Sequence, residues 1–144
     1  MAPPKPARTL TASEAHARAR PGRHVLGWTL DPAEREALLQ RFAPRYARAV
    51  AHHVTLRPRV AADAALPPET QGVIVGRADD GAGVEALIVQ LDGTTERPGG
   101  GTYHVTWSLA EGRRPVESND VIAARGWEAV EPPVPLRLVP ATFQ

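Results

Sequence analysis

The stretch HVTL at residues 53–56 recurs as HVTW at residues 104–107, a histidine and a threonine separated by valine and followed by a large apolar residue. Each copy lies in an apolar, β-branched run, which favours a strand. Side chains at positions i and i+2 of a strand point to the same face, so each histidine should share a face with its threonine. If the two strands lie side by side, two imidazoles and two hydroxyls surround one pocket.

Composition limits the classes of protein that the chain can belong to. Its 144 residues suffice for one domain, and no apolar run approaches the ~20 residues of a membrane span. The absence of cysteine excludes disulfides and cysteine-based zinc sites and fits the cytoplasm. A net charge of +1 argues against binding to long nucleic acid and leaves a short or small anionic ligand. We expect a monomer without a membrane partner.

The chain divides at about residue 23. Residues 1–23 carry early prolines and few large apolar residues, so we predict a flexible tail in which a helix over 11–20 has nothing to hold it. Residues 24–144 are expected to form a single domain. Its predicted strands are 24–30, 47–57, 72–77, 84–91 and 102–109, with one or two more from 127–130 and 136–139, and its predicted helices are 32–42 and a short one that runs from its cap at 118 or 119 through 125.

Local signals set these boundaries. Asp31 and Pro32 are typical of a helix start, and Ser118 or Asn119 is expected to cap the second helix. The glycine-rich turn 79–83 predicts a hairpin, and PGGG at 98–101 predicts a loop that can cover the pocket. The prolines at 132, 133, 135 and 140 indicate edge strands. The predicted fold class is α+β, with about two helices on the outside of the sheet.

Three further stretches accompany the two motifs: HVLGWTLDPAERE (24–36), AHHVTL (51–56) and GRRPVESNDVI (112–122). Together they resemble the 2H phosphoesterase superfamily, named for its two histidines, and within it the cyclic phosphodiesterase domain of fungal-type tRNA ligases and small bacterial relatives. The resemblance covers about residues 24 to 127 and implies antiparallel sheets that form a central groove. The motifs lie 51 positions apart (104 minus 53), fewer than in many members, which predicts a trimmed body.

The resemblance also implies an activity. It is the hydrolysis of 2′,3′-cyclic phosphates on nucleotides or RNA ends, to a 2′-phosphate, without a metal or other cofactor. RNA repair, RNA processing and the clearance of a cyclic nucleotide all stay open as its context. His53 and His104 would serve as general acid and base, in an order that the sequence leaves open, and an unperturbed imidazole pKa of ~6.5 suits both roles. Thr55 and Thr106 would bind the non-bridging phosphate oxygens.

Five other residues are candidates for contacting a substrate. Arg57 and Ser108 share strand parity with the motif residues, and each could reach a phosphate or lie at the surface or rim. Trp28, Tyr103 and Trp107 could stack on a nucleobase, although aromatic residues on strands also form cores.

The motif residues also have a purely structural interpretation. They could be half-buried strand histidines and threonines, with His52 facing away from His53. Three functions therefore stay open: a metal-independent phosphodiesterase, a nucleotide- or RNA-end-binding module that does not turn over, and a structural β-rich domain. Only the last predicts that the two motif strands lie apart.

Overall fold

The computed structural model describes residues 10–144, so the first nine residues of the predicted tail lie outside the described residues. The α+β class is confirmed, with three helices in the described range where about two were expected. The elements are α1 (Ala12–Arg18), β1 (Pro21–Leu30), α2 (Pro32–Arg41), β2 (Arg48–Ala49), β3 (His53–Val60), β4 (Gln71–Asp79), β5 (Val84–Gln90), β6 (His104–Leu109), α3 (Glu117–Arg125) and β7 (Glu128–Phe143).

The strands form one antiparallel sheet in the order β2-β6-β3-β1-β7-β4-β5. Because β5 also pairs with β6, from Val84↔Leu109 to Ile88↔His104, the sheet closes on itself. One apolar cluster fills its interior and draws on β1 and every strand from β3 to β7. Several sheets around a groove were expected; the structure has a single closed sheet, and the groove that holds the motifs lies on its outer side.

The predicted strand 47–57 is interrupted. Ala51, between β2 and β3, has a φ of 45°, in the left-handed region that non-glycine residues rarely adopt. Its N–H still donates to the Thr106 carbonyl, at 3.0 Å, so the chain stays beside β6 through the break. His52 therefore lies outside β3, and the alternation that should turn it away from His53 does not apply.

The C-terminal prolines lie in one long strand, β7, where the sequence left one or two strands open. Residues 128–137 of β7 pair with β4 alone, and residues 138–143 pair with β1 alone. Each half of β7 thus has one unpaired side, which accommodates a residue without an N–H. Pro135 pairs with Val73, and Pro140 pairs with Trp28. The prediction that the prolines lie at strand edges is thus correct within each half of β7. It did not show that one strand pairs with both β4 and β1.

The structure also moves the predicted boundary at residue 23. Residues 12–18 form α1, whose N-cap Thr11 accepts a hydrogen bond from the Glu14 N–H. Ala15 is buried in the core, and the Arg57 guanidinium donates to the carbonyl of His16 near the end of the helix. Residues 10–23 are therefore part of the fold, because long-range contacts hold a helix that sequence analysis left unsupported.

Two local predictions are confirmed. The Asp31 side chain caps α2 by accepting from the Glu34 N–H at 3.1 Å, with Pro32 as the first helical residue. The turn between β4 and β5 is a hairpin in which the Asp80 carboxylate accepts from the N–H groups of Ala82 and Val84. On the outer side of this hairpin α3 packs its Ile122 against β4 and β5, and so borders the face that carries the motifs.

Candidate functional site

The two motifs meet where β3 pairs with β6. Val54 pairs with Val105, and both valines are buried in the core, so the residues on either side of each point outward. The antiparallel register places His53 beside Thr106 and Thr55 beside His104. Beyond Val54, β3 pairs with β1 only, so β3 and β6 diverge. A cavity opens at this divergence.

The cavity measures about 220 Å³ and contains all four predicted motif side chains. Its walls come from β3, β6, the start of α3 and the loop that precedes β6. No carboxylate lines it, so its polar side chains are one guanidinium, two imidazoles, two hydroxyls and one amide. The lining residues are His53, Thr55, Pro58, Arg97, His104, Thr106, Pro115, Val116 and Asn119.

His104 is held in one tautomer. Its Nδ1 lies 2.8 Å from the carbonyl oxygen of Thr102, which can only accept, so Nδ1 carries a proton. In the neutral ring Nε2 then has a lone pair available for a proton. The side chain is 8% exposed, and this burial lowers its pKa; the charge of Arg97 acts in the same direction, while the bond to Thr102 opposes them. The neutral ring therefore predominates at neutral pH.

His53 is half-buried and also neutral at neutral pH. Burial lowers its pKa to about 4, and the neighbouring imidazoles of His52 and His104 add to the shift. Its Nδ1 lies 3.0 Å from Nδ1 of His52, and its ring packs on Phe143 with centroids 4.6 Å apart. In both cavity histidines Nδ1 is thus engaged. Nε2 is the nitrogen left for proton transfer.

The hydroxyl of Thr106 is positioned by α3. Its Oγ1 lies 2.9 Å from Oγ of Ser118, which is fully buried, and 3.3 Å from the carbonyl of Pro115. The prediction that Ser118 or Asn119 caps this helix is wrong, because α3 begins at Glu117 and has no side-chain cap. Ser118 instead lies in the first turn and orients the threonine.

Thr55, across the cavity, differs from Thr106 in its surroundings. It is half-buried and lines the cavity. No hydrogen bond of its hydroxyl to another described residue is found in the structure. Its hydroxyl is therefore available to a ligand.

Arg97 is the cavity residue that sequence analysis missed. It is half-buried, its Nε donates to the Gly100 carbonyl at 3.1 Å, and its guanidinium packs against Gly101, whose missing Cβ would lie 2.9 Å from Nη2. None of the ion pairs formed between described residues includes it. A half-buried cation without a carboxylate partner offers its charge to an anionic ligand. The available signal was its position directly before the PGGG stretch.

Two predicted substrate contacts are not at the cavity. The Arg57 guanidinium is directed to the carbonyl of His16, so it holds α1. Ser108 is fully buried and donates to the Glu85 carboxylate at 2.6 Å, while it accepts from the Tyr46 N–H. Both share strand parity with the motifs, but neighbouring elements cover their positions.

The three predicted base-stacking residues are in the core. Trp28, Tyr103 and Trp107 are almost completely buried. The Trp28 indole N–H donates to the carbonyl of Glu69, and the Trp107 indole N–H donates to that of Phe42. Their rings therefore cannot receive a nucleobase, and the alternative interpretation of strand aromatics as core residues is the correct one.

A larger cavity, of about 510 Å³, lies over β4, β5 and β7. Its polar residues include Glu34, Gln71, Asp92 and Arg137, and no histidine lines it, so it lacks the imidazole pair that the two motifs bring to the smaller cavity. Within residues 10–144, no three histidine, aspartate or glutamate side chains come together as metal ligands. In the same range, no helix has the length and apolarity of a transmembrane segment.

Comparison with known proteins adds no relative: no family model, no curated protein and no solved structure matches the chain. The function therefore has to be inferred from the cavity, in which two imidazoles, two hydroxyls and one guanidinium surround about 220 Å³.

Proposed function

We propose that this protein is a 2H-type phosphodiesterase that opens 2′,3′-cyclic phosphates by acid-base catalysis with His53 and His104. The observation that carries the proposal is the convergence of both motifs on one cavity. Binding alone needs only a positive or hydrogen-bonding surface. Two histidines with free Nε2 atoms beside one anion site are what an in-line displacement at phosphorus requires.

The reaction needs one proton acceptor and one proton donor. A water oxygen attacks phosphorus while the bond from phosphorus to one ribose oxygen breaks. One Nε2 takes the proton of the water, and the other Nε2 gives its proton to the departing ribose oxygen. Each turnover exchanges the protonation of the two rings, and a proton passed through solvent restores the starting state.

The remaining polar groups hold the phosphate. Thr106 can accept from Ser118 and redirect its single O–H from the Pro115 carbonyl, 3.3 Å away, to a non-bridging oxygen. Thr55 offers a second hydroxyl from the opposite strand, and Arg97 supplies the positive charge for the anion and for the charge that develops in the transition state.

A bound phosphate also allows one ring to take up the missing proton from solvent. In the free protein the pKa of both imidazoles lies below 6.5, so the pair is largely unprotonated at pH 7. A phosphodiester anion between the rings favours the imidazolium and raises both pKa values. One ring can then take up the proton that the leaving oxygen needs, and the two rings titrate as a coupled pair.

The test is hydrolysis of a substrate panel with phosphorus NMR as the readout. The panel contains the four 2′,3′-cyclic mononucleotides and an oligonucleotide that ends in a cyclic phosphate, each with and without EDTA. We expect a 2′-phosphate product whose formation EDTA does not prevent. His53→Asn and His104→Asn should each lower kcat/KM by about 10²- to 10⁴-fold. The double variant should lose about as much as either single one, because the residues act as a unit.

His24→Asn removes an imidazole outside the cavity and is the matched control. Activity that EDTA abolishes and zinc restores would overturn the metal-free scheme. The non-catalytic alternative has its own signature, which is calorimetric binding of a nucleotide 2′-phosphate with no turnover of any cyclic phosphate.

A further inference from the structure

The catalytic cavity is too small for a whole nucleotide. Its volume of about 220 Å³ falls below the ~300–1,000 Å³ of pockets that bury drug-sized ligands. It can enclose the cyclic phosphate and part of the ribose. The nucleobase of such a substrate must therefore lie in an adjoining part of the surface.

A second, smaller cavity adjoins the first at His104 and Asn119, which line both. It measures about 100 Å³ and runs along α3 past Ile122 and Ala123 to the indole of Trp127. No charged side chain lines it. A groove of this composition suits an uncharged, planar group better than a second phosphate.

Trp127 is the one exposed tryptophan of the described residues, at 41% exposure, whereas Trp28 and Trp107 are buried. Its indole rests directly on the backbone of β4 at Gly76, where a Cβ would lie 2.1 Å from Cδ1 of the ring. Only glycine permits this approach. The ring is thus braced against the sheet and remains accessible on its other side, which is the arrangement of a rigid stacking platform.

We infer that the groove between His104 and Trp127 is a nucleobase subsite, in which the base of the nucleotide being hydrolysed stacks on the Trp127 indole. The inference rests on the proposed function for the orientation of the substrate. The amide of Asn119, at the junction of the two cavities, lies where the ribose joins the base. Stacking tolerates every base, so the subsite should bind purines and pyrimidines alike.

The test compares a 2′,3′-cyclic mononucleotide with methyl riboside 2′,3′-cyclic phosphate, which has no base. Trp127→Ala should lower kcat/KM for the nucleotide by about 5- to 150-fold, the range that loss of one base stack produces. It should leave kcat/KM for the base-free substrate unchanged, which also shows that the variant is folded. Trp127→Phe should restore most of the loss. Leu66→Ala, which truncates another exposed apolar side chain, should alter neither substrate.

An equal loss on both substrates would make Trp127 a packing residue and overturn the inference, as would a wild-type protein that hydrolyses both substrates equally well. If the wild type hydrolyses neither substrate, the proposed function fails, and tryptophan fluorescence then decides the subsite. Adenosine 2′-monophosphate should quench the wild type and not Trp127→Phe. Absence of quenching in the wild type would overturn the subsite as well.

Discussion

Arg97 lines the cavity that holds the two motifs, half-buried and without a carboxylate partner in residues 10–144. Replacing it with methionine keeps an unbranched apolar stem and removes the charge that the phosphate would use. We expect Arg97→Met to raise KM for a cyclic nucleotide by about 10- to 100-fold, the range of one charged hydrogen bond. Arg97→Lys should recover part of the loss, since it keeps the charge but not the planar fork.

Arg23→Met removes an exposed arginine on β1 and is the matched control, which should keep the wild-type KM. A second readout separates charge from packing. Because Arg97 lowers the pKa of His104, its replacement should move the limb of the kcat/KM profile that His104 sets to higher pH. An unchanged KM and an unchanged profile would remove Arg97 from the site.

His52 contributes to the low pKa of the neighbouring His53. Its imidazole is, after burial, the largest cause of the low pKa of His53. In the proposed mechanism, the active form of the free protein carries one proton shared between His53 and His104. Both pKa values lie below 6.5, so kcat/KM should peak on the acid side of pH 6.5. His52→Ala should move the limb set by His53 toward pH 6.5, as measured by kcat/KM from pH 4 to 8. His24→Ala should leave the profile in place, and a limb that does not move in His52→Ala would count against this coupling.

At the scale of elements, sequence predicted best what short-range chemistry decides. The start of α2 at Asp31 and Pro32 and the hairpin at 79–83 depend on residues within one turn of each other, and both were located correctly. The placement of β7 depends on which strands lie on either side of it. No local pattern shows that one strand pairs first with β4 and then with β1.

In the candidate site, too, sequence predicted the features that depend on neighbouring residues and missed those that depend on long-range contacts. Strand parity predicts that His53 and Thr55 share a face, because parity is a property of one strand. Arg97 lines the cavity from a loop, and Ser118 contacts Thr106 from α3. Both meet the motif residues only after folding, so strand parity does not place either of them at the site. The close approach of Trp127 to the sheet depends in turn on Gly76, a glycine 51 positions earlier (127 minus 76) in another strand.

At the scale of the whole molecule, closure of the sheet determines which elements lie around the motif strands. The pairing of β5 with β6 leaves the outer side of β6 to the motif and to α3. Beside this pairing His104 is buried and His53 is half-buried, and burial lowers both pKa values, so both imidazoles are neutral at neutral pH in the folded state. The surroundings that lower the pKa values of His53 and His104 therefore also connect proton binding with folding.

Stability should consequently fall as the pH is lowered. The unfolded chain protonates His53 near pH 6.5, whereas the folded protein resists protonation until about pH 4, so its contribution is complete above pH 6.5 and is lost between the two values. Between pH 7.5 and pH 5 this one group should lower the free energy of unfolding by about 2 kcal/mol, and His104 acts in the same direction. Urea denaturation at both pH values measures the difference. His53→Asn should make this difference in the free energy of unfolding smaller by about 2 kcal/mol. Thr55→Val, which alters the same cavity but keeps both imidazoles, should leave the difference unchanged. A His53→Asn protein with the wild-type pH dependence would show that the ring is solvated in the folded state and not enclosed beside His104.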